Sequence, residues 1–65
     1  MKKSLTSREI IKIIEADGWY LHKTVGSHHH FKHPTKKGKT TVLHPKKDFH
    51  PKMISSMENQ SGLKF

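Results

Sequence analysis

The chain of 65 residues contains no cysteine. Disulfides and thiolate zinc sites are therefore excluded as sources of stability, and the composition fits a reducing compartment. No apolar run is long enough to span a bilayer. The basic start Met1-Lys2-Lys3 is followed by a polar, helix-like stretch instead of the apolar segment that a secretion signal needs. A cytoplasmic location is expected. Carboxylates are scarce: 5 Asp and Glu stand against 13 Lys and Arg, for a formal net charge of +8 at pH 7. Arginine is nearly missing as well, Arg8 being the single one. A cationic surface made of lysine suits phosphate contact better than bidentate reading of base edges. Internal repeats and low-complexity tracts are also lacking.

What remains is enough for one domain over residues 1–65, ordered from about residue 6 to residue 63, around one thin core. The charge makes the whole molecule attractive to polyanions. Nucleic acid ranks first, because neutralising phosphates releases counterions. An anionic membrane ranks second, but no segment joins a basic face to a strong apolar one, so no membrane contact is expected. An acidic protein ranks third and is compatible with the first.

Thr6 to Gly18 reads as a helix. Thr6 and Glu9 have the spacing of a capping box. Ile10, Ile13 and Ile14 recur at helical spacing, Ile11 widens the stripe, and Gly18 suits a left-handed cap. From Trp19 to Val25 the period changes to two. Trp19, Leu21 and Val25 fall on one face and Tyr20, His22 and Thr24 on the other, the pattern of a half-buried strand. Gly26-Ser27 suits a two-residue hairpin turn with glycine at positive φ. A second strand follows from about His28 to His33, anchored inward by Phe31. That register puts His29 and His33 on the Phe31 face, and His28, His30 and Lys32 on the other. A lysine-rich loop covers Pro34 to Lys39. A third strand, Thr40-Thr41-Val42-Leu43-His44, is stopped by Pro45. Pro51 opens a second helix that reaches about Gln60. Ile54 and Met57 face inward there with Met53 as a further candidate, Gly62 is the stop, and Leu63 folds back on the core. Short links make the strands antiparallel neighbours. The expected fold is α+β: an α-β-β-β-α two-layer sandwich, with a three-stranded antiparallel sheet and both helices on one face.

Seven histidines are many for so short a chain. Histidine gives or takes a proton near neutrality. RNA cleavage needs a base to activate a 2′-hydroxyl and an acid to protonate the leaving oxygen. His28 sits at the hinge of the hairpin, on the outward face, with Lys23, Lys32, Lys36, Lys37 and Lys39 close in sequence. Those cations favour a neutral His28, the form a general base needs. They can also bind RNA phosphates and stabilise charge building on phosphorus. His30, on the same face, is a candidate helper. The ordinary reading of the other histidines is structural. His29 and His33 read as half-buried and satisfied by hydrogen bonds, and His22, His44 and His50 as surface or loop residues. Trp19 and Phe31 read as core, not as a platform for stacking bases. A zinc site would join His28 and His30 to a third ligand, His22 or His44. The positive field and the scarcity of carboxylates oppose a dication, so neither metal nor cofactor is expected. Ser27 lacks the G-x-S-x-G setting and the nearby acidic partner of a hydrolase nucleophile. Two function classes stand: a metal-independent ribonuclease, and a non-catalytic RNA-binding module of the same fold and charge.

Asp17-Gly18-Trp19, then Gly26-Ser27-His28-His29-His30-Phe31-Lys32-His33-Pro34, resembles the HicA toxins of bacterial toxin–antitoxin pairs. The likeness continues through Thr41-Val42-Leu43-His44-Pro45-Lys46-Lys47-Asp48 and ends with the second helix and Ser61-Gly62-Leu63, covering nearly the whole chain. The Gly-Ser-His-His run at that distance from Gly-Trp is its more specific part. The resemblance implies a double-stranded-RNA-binding-domain-like fold. It further implies an endoribonuclease (mRNA interferase) that cleaves mRNA, arrests growth and is held inactive by a HicB antitoxin. His28 matches the family's essential histidine, Gly26 matches the glycine before it, and no metal is implied. DNA contact in such pairs lies with the antitoxin and so reaches this chain only indirectly. Two positions depart from the family. Leu43 stands where members often carry proline, which would expose an apolar side chain toward a partner. The second helix is also less basic and poorer in aliphatics, with Ser55, Ser56, Glu58 and Asn59.

Overall fold

The computed structural model describes residues 5–65 and runs α1 (Ser7–Ala16), β1 (Tyr20–Val25), β2 (His28–Lys32), β3 (Thr40–Leu43) and α2 (Pro51–Ser61). The Met1-Lys2-Lys3 start lies outside the described residues. Helix α1 begins where the capping box predicts. Thr6 Oγ1 accepts the Glu9 N–H, and the Glu9 carboxylate accepts the Thr6 N–H at 2.9 Å. It ends in a double closure: Trp19 N–H donates to the Ile14 carbonyl and Gly18 N–H to that of Glu15. This is the Schellman arrangement. It requires Gly18 at φ +112° and delivers Trp19 into the core beside Ile14.

Helix α2 starts at Pro51, with the His50 side chain accepting the Lys52 N–H as N-cap, and closes on Gly62 at φ +75°. Strands β1, β2 and β3 lie side by side in chain order, all antiparallel. The β1–β2 turn is Gly26-Ser27. Gly26 alone takes positive φ (+59°), as a two-residue hairpin with glycine at its first central position requires. One core joins Ile10 and Ile14 of α1, Trp19, Phe31, Val42 and Met57 of α2. Phe31 and Val42 share a sheet face, so both helices lie on that face and the fold is the expected α+β sandwich. Ile54, Leu63 and Phe65 pack at the core margin.

Three local expectations need correction. On α1 the buried face is Ser7, Ile10 and Ile14; Ile11 lies at its covered margin and Ile13 at its bare one. Strand β1 is not half-buried: Leu21 and Val25 are 48% and 56% exposed. It is an edge strand away from the core, which is built over β2 and β3. Its alternation is also broken. Leu21 pairs with Phe31 but Lys23 pairs with His30, leaving His22 as the extra residue of a bulge. Beyond His22 the faces exchange, so Val25 and Leu21 no longer share one.

Candidate nucleic-acid interface

Residues directly opposed across a ladder point to the same side of a sheet. Two such rows cross the open face here. One is Val25, His28 and Leu43; the other is Lys23, His30 and Thr41. The first row follows the Gly26-Ser27 turn directly, so that turn fixes where His28 emerges. The second row depends on the bulge. Without the extra residue at His22, Lys23 would point to the helix side.

His28 is exposed and His30 half-buried. Their rings stack nearly parallel, 6.4 Å apart at 14°. His30 Nδ1 lies 3.0 Å from Thr41 Oγ1. Thr41 is held from behind, because its N–H donates to Gln60 Oε1 at 2.9 Å and ties the edge of β3 to α2. The pKa of His30 is pushed below 6.5, first by burial, then by the charges of Lys39 and Lys23, and less by His28 and His22. These causes place two lysines and two further histidines around the His30 ring. The patch is electropositive and favours a neutral imidazole at its centre.

The remaining histidines have structural work. His29 faces the helices, edge-on to His44 at 5.1 Å, with Nδ1 3.3 Å from the Ser27 carbonyl. His33 packs edge-on against Trp19 at 5.2 Å. Its Nε2 lies 2.7 Å from the Asp17 carbonyl, which can only accept, so Nε2 carries the proton. Nδ1 is then the acceptor for the N–H groups of Thr35 and Lys36, both at 3.1 Å. Both histidines match their expected hydrogen-bonded, half-buried role. His44 and His50 lie in loops as expected, and His50 is exposed, but each also makes a structural contact. His44 is half-buried with Nδ1 2.7 Å from Ser7 Oγ, which also accepts the Lys46 N–H. The alternation of β3 carries one residue past Leu43 and turns His44 toward α1, away from His28 and His30. His50 is the N-cap of α2. Among the described residues, no three histidine, cysteine or carboxylate side chains converge to hold a metal ion.

The lysines divide as well. Lys23 and Lys39 act on His30, and Lys32 and Lys37 are exposed. Lys36 belongs elsewhere. Its Nζ donates to Asp17 Oδ2 at 2.6 Å and to the Ser61 carbonyl at 3.0 Å, which sets it apart from the other four. That hydrogen bond from Lys36 is the main reason the Asp17 carboxyl titrates below 3.8; burial opposes it, and the charges of Lys36 and His33 add to it. Leu43 is half-buried instead of displayed, lining a shallow apolar cleft with Phe49, Met53 and Met57. Thr41 was not among the residues the sequence singled out. The signal was there: with Phe31 and Val42 both inward in antiparallel strands, His30 and Thr41 must share the outward face.

Among the described residues, no helix is long and apolar enough to cross a membrane. Residues 7–63 match the family model of the HicA toxin of bacterial toxin–antitoxin pairs. No curated protein matches the chain.

Proposed function

The chain belongs to the HicA toxin family of bacterial toxin–antitoxin pairs, and on that premise we propose that it is a metal-independent endoribonuclease that cleaves mRNA in the cytoplasm. His28 is the general acid/base, and a HicB-like antitoxin neutralises the toxin. The observation that carries this reading is the placement of His28. It is the first residue after a glycine turn, exposed on the open sheet face, with a second imidazole stacked on it and lysines around that second ring. Gly26 and Ser27 present His28 to the backbone of the RNA. Lys23, Lys32, Lys37 and Lys39 hold phosphates, and the charge building on phosphorus is met by the same cations. A formal charge of +8 suits an acidic antitoxin covering this face.

Expression of His28→Ala in a sensitive host without antitoxin tests the assignment. Growth arrest and mRNA cleavage should disappear; their persistence at the unsubstituted level would refute His28 as the catalytic group. Incubating the purified protein with RNA in EDTA separates the classes. Cleavage supports the ribonuclease, whereas RNA bound but left intact makes the protein a binding module.

A further inference from the structure

We propose that His30 is a second catalytic residue, the base that takes the 2′-hydroxyl proton, that Thr41 positions it, and that His28 supplies the proton to the leaving oxygen. This division of labour rests on the ribonuclease reading above.

The geometry permits the two roles. Thr41 Oγ1, 3.0 Å from His30 Nδ1, can accept an Nδ1–H, and that tautomer leaves Nε2 with its lone pair, as a base requires. The same bond persists after protonation, since the imidazolium still carries Nδ1–H. Thr41 cannot drift, because its own N–H is held by Gln60 and it lies opposite His30 in the ladder. His30 Nε2 has no protein partner among the described residues. Burial and the charges of Lys39 and Lys23 favour the neutral ring. His28 stacks at 6.4 Å on the same face and is exposed. An RNA linkage lying across the free edges of both rings would offer its 2′-oxygen to one and its O5′ to the other, and proton transfer needs each within about 2.6–3.2 Å.

The step balances. The 2′-oxygen forms a bond to phosphorus as its proton passes to His30 Nε2. The bond from phosphorus to O5′ breaks as His28 gives its proton to O5′. The products are a 2′,3′-cyclic phosphate and a 5′-hydroxyl, and exchange with water restores both imidazoles.

The test uses the full chain and two RNA oligonucleotides of one sequence, with the cleavage site first mapped on the natural linkage. The second carries sulfur in place of O5′ at that site, a leaving group that needs no acid. On the natural RNA, His28→Ala and His30→Gln should each lose about 10²–10⁴-fold in rate. On the sulfur-bridged RNA, His28→Ala should recover and His30→Gln should not. A His30→Gln protein as fast as the unsubstituted chain on natural RNA overturns the proposal, as does recovery of His30→Gln by sulfur. Full activity of His28→Ala overturns the acid role given to His28, whereas failure of the unsubstituted protein to cut natural RNA would instead refute the ribonuclease reading itself.

Thr41 supplies an arm that does not depend on removing a ring. Thr41→Val should move the acid limb of the kcat/KM–pH profile, and Thr41→Ser should restore it. His22 and Lys23 from β1, His28 from β2 and Lys39 before β3 face the same ring and are unchanged in both variants. An acid limb that stays in place in Thr41→Val overturns the positioning role.

Discussion

Nζ of Lys36 stands 2.6 Å from Oδ2 of Asp17. Because the same ammonium also holds the Ser61 carbonyl, one side chain joins the end of α1, the end of α2 and the loop before β3. Its consequence is a dependence of stability on acid. The Asp17 carboxyl titrates below 3.8 in the fold, so as pH falls the unfolded chain takes up that proton first. The stabilisation is present above about pH 3.8 and is lost as pH falls through the lower, folded value. In Lys36→Met the carboxyl loses its main partner. The melting temperature should fall at neutral pH and depend less on pH in the acid range than in the unsubstituted protein. Thermal denaturation followed across that range checks this, and equal acid slopes in the two proteins would count against it.

Gly18 faces His33 just as closely. A Cβ built at Gly18 meets His33 Nε2 at 2.8 Å. The ring cannot retreat, since both its nitrogens are hydrogen-bonded and its edge rests on Trp19. The backbone at φ +112° adds strain for any side chain. Gly18→Ala should cost on the order of 1–3 kcal/mol. In a domain of this size each kcal/mol lowers the melting temperature by about 4–8 °C. Calorimetry on the two proteins measures the difference, and a variant that melts with the parent would contradict the packing described.

Much of this was legible in the chain. The capping box at Thr6 and Glu9, the glycine stops at Gly18 and Gly62 and the Gly26 turn are local signals, fixed by backbone groups within a few residues. The outward placement of His28 and His30 followed from one inward anchor, Phe31, and a period of two. Features set by distant residues were not legible. The bulge at His22 has no glycine or proline to mark it, and it decides which side Lys23 faces. Lys36 looked like any loop lysine, because its partners lie 19 and 25 residues away. His44 looked like a strand end, because the Ser7 hydroxyl that binds it belongs to the other end of the chain.

His30 offers a titration that can be observed directly. Its pKa lies below 6.5, so the folded state binds its proton later than the unfolded one as pH falls. The fold is therefore penalised as pH drops below about 6.5, until the folded ring also protonates. Lys39 is the largest of the charge causes, after burial. Lys39→Ala should raise the His30 midpoint toward the ordinary value without reaching it, because burial remains. Proton NMR of the imidazole resonances in both proteins reads the midpoint, and an unmoved value would remove Lys39 from the neighbourhood of His30.

The lysines make a separable prediction about RNA. Binding should be measured on an oligonucleotide with the 2′-hydroxyl methylated throughout, so that no attack can occur. Each phosphate neutralised on a single strand contributes about 0.7 to the slope of log K against log salt. Lys23→Ala, Lys32→Ala and Lys39→Ala should each weaken binding and flatten that slope by about 0.7. Lys36→Met should leave the slope unchanged, because its ammonium is already matched by Asp17 and the Ser61 carbonyl. The contrast matters more than any one value. All four variants remove the same formal charge, so a general loss of attraction would move all four slopes alike. A flattening confined to Lys23, Lys32 and Lys39 locates the RNA on the open face that carries His28 and His30, and equal flattening by Lys36→Met would place it elsewhere.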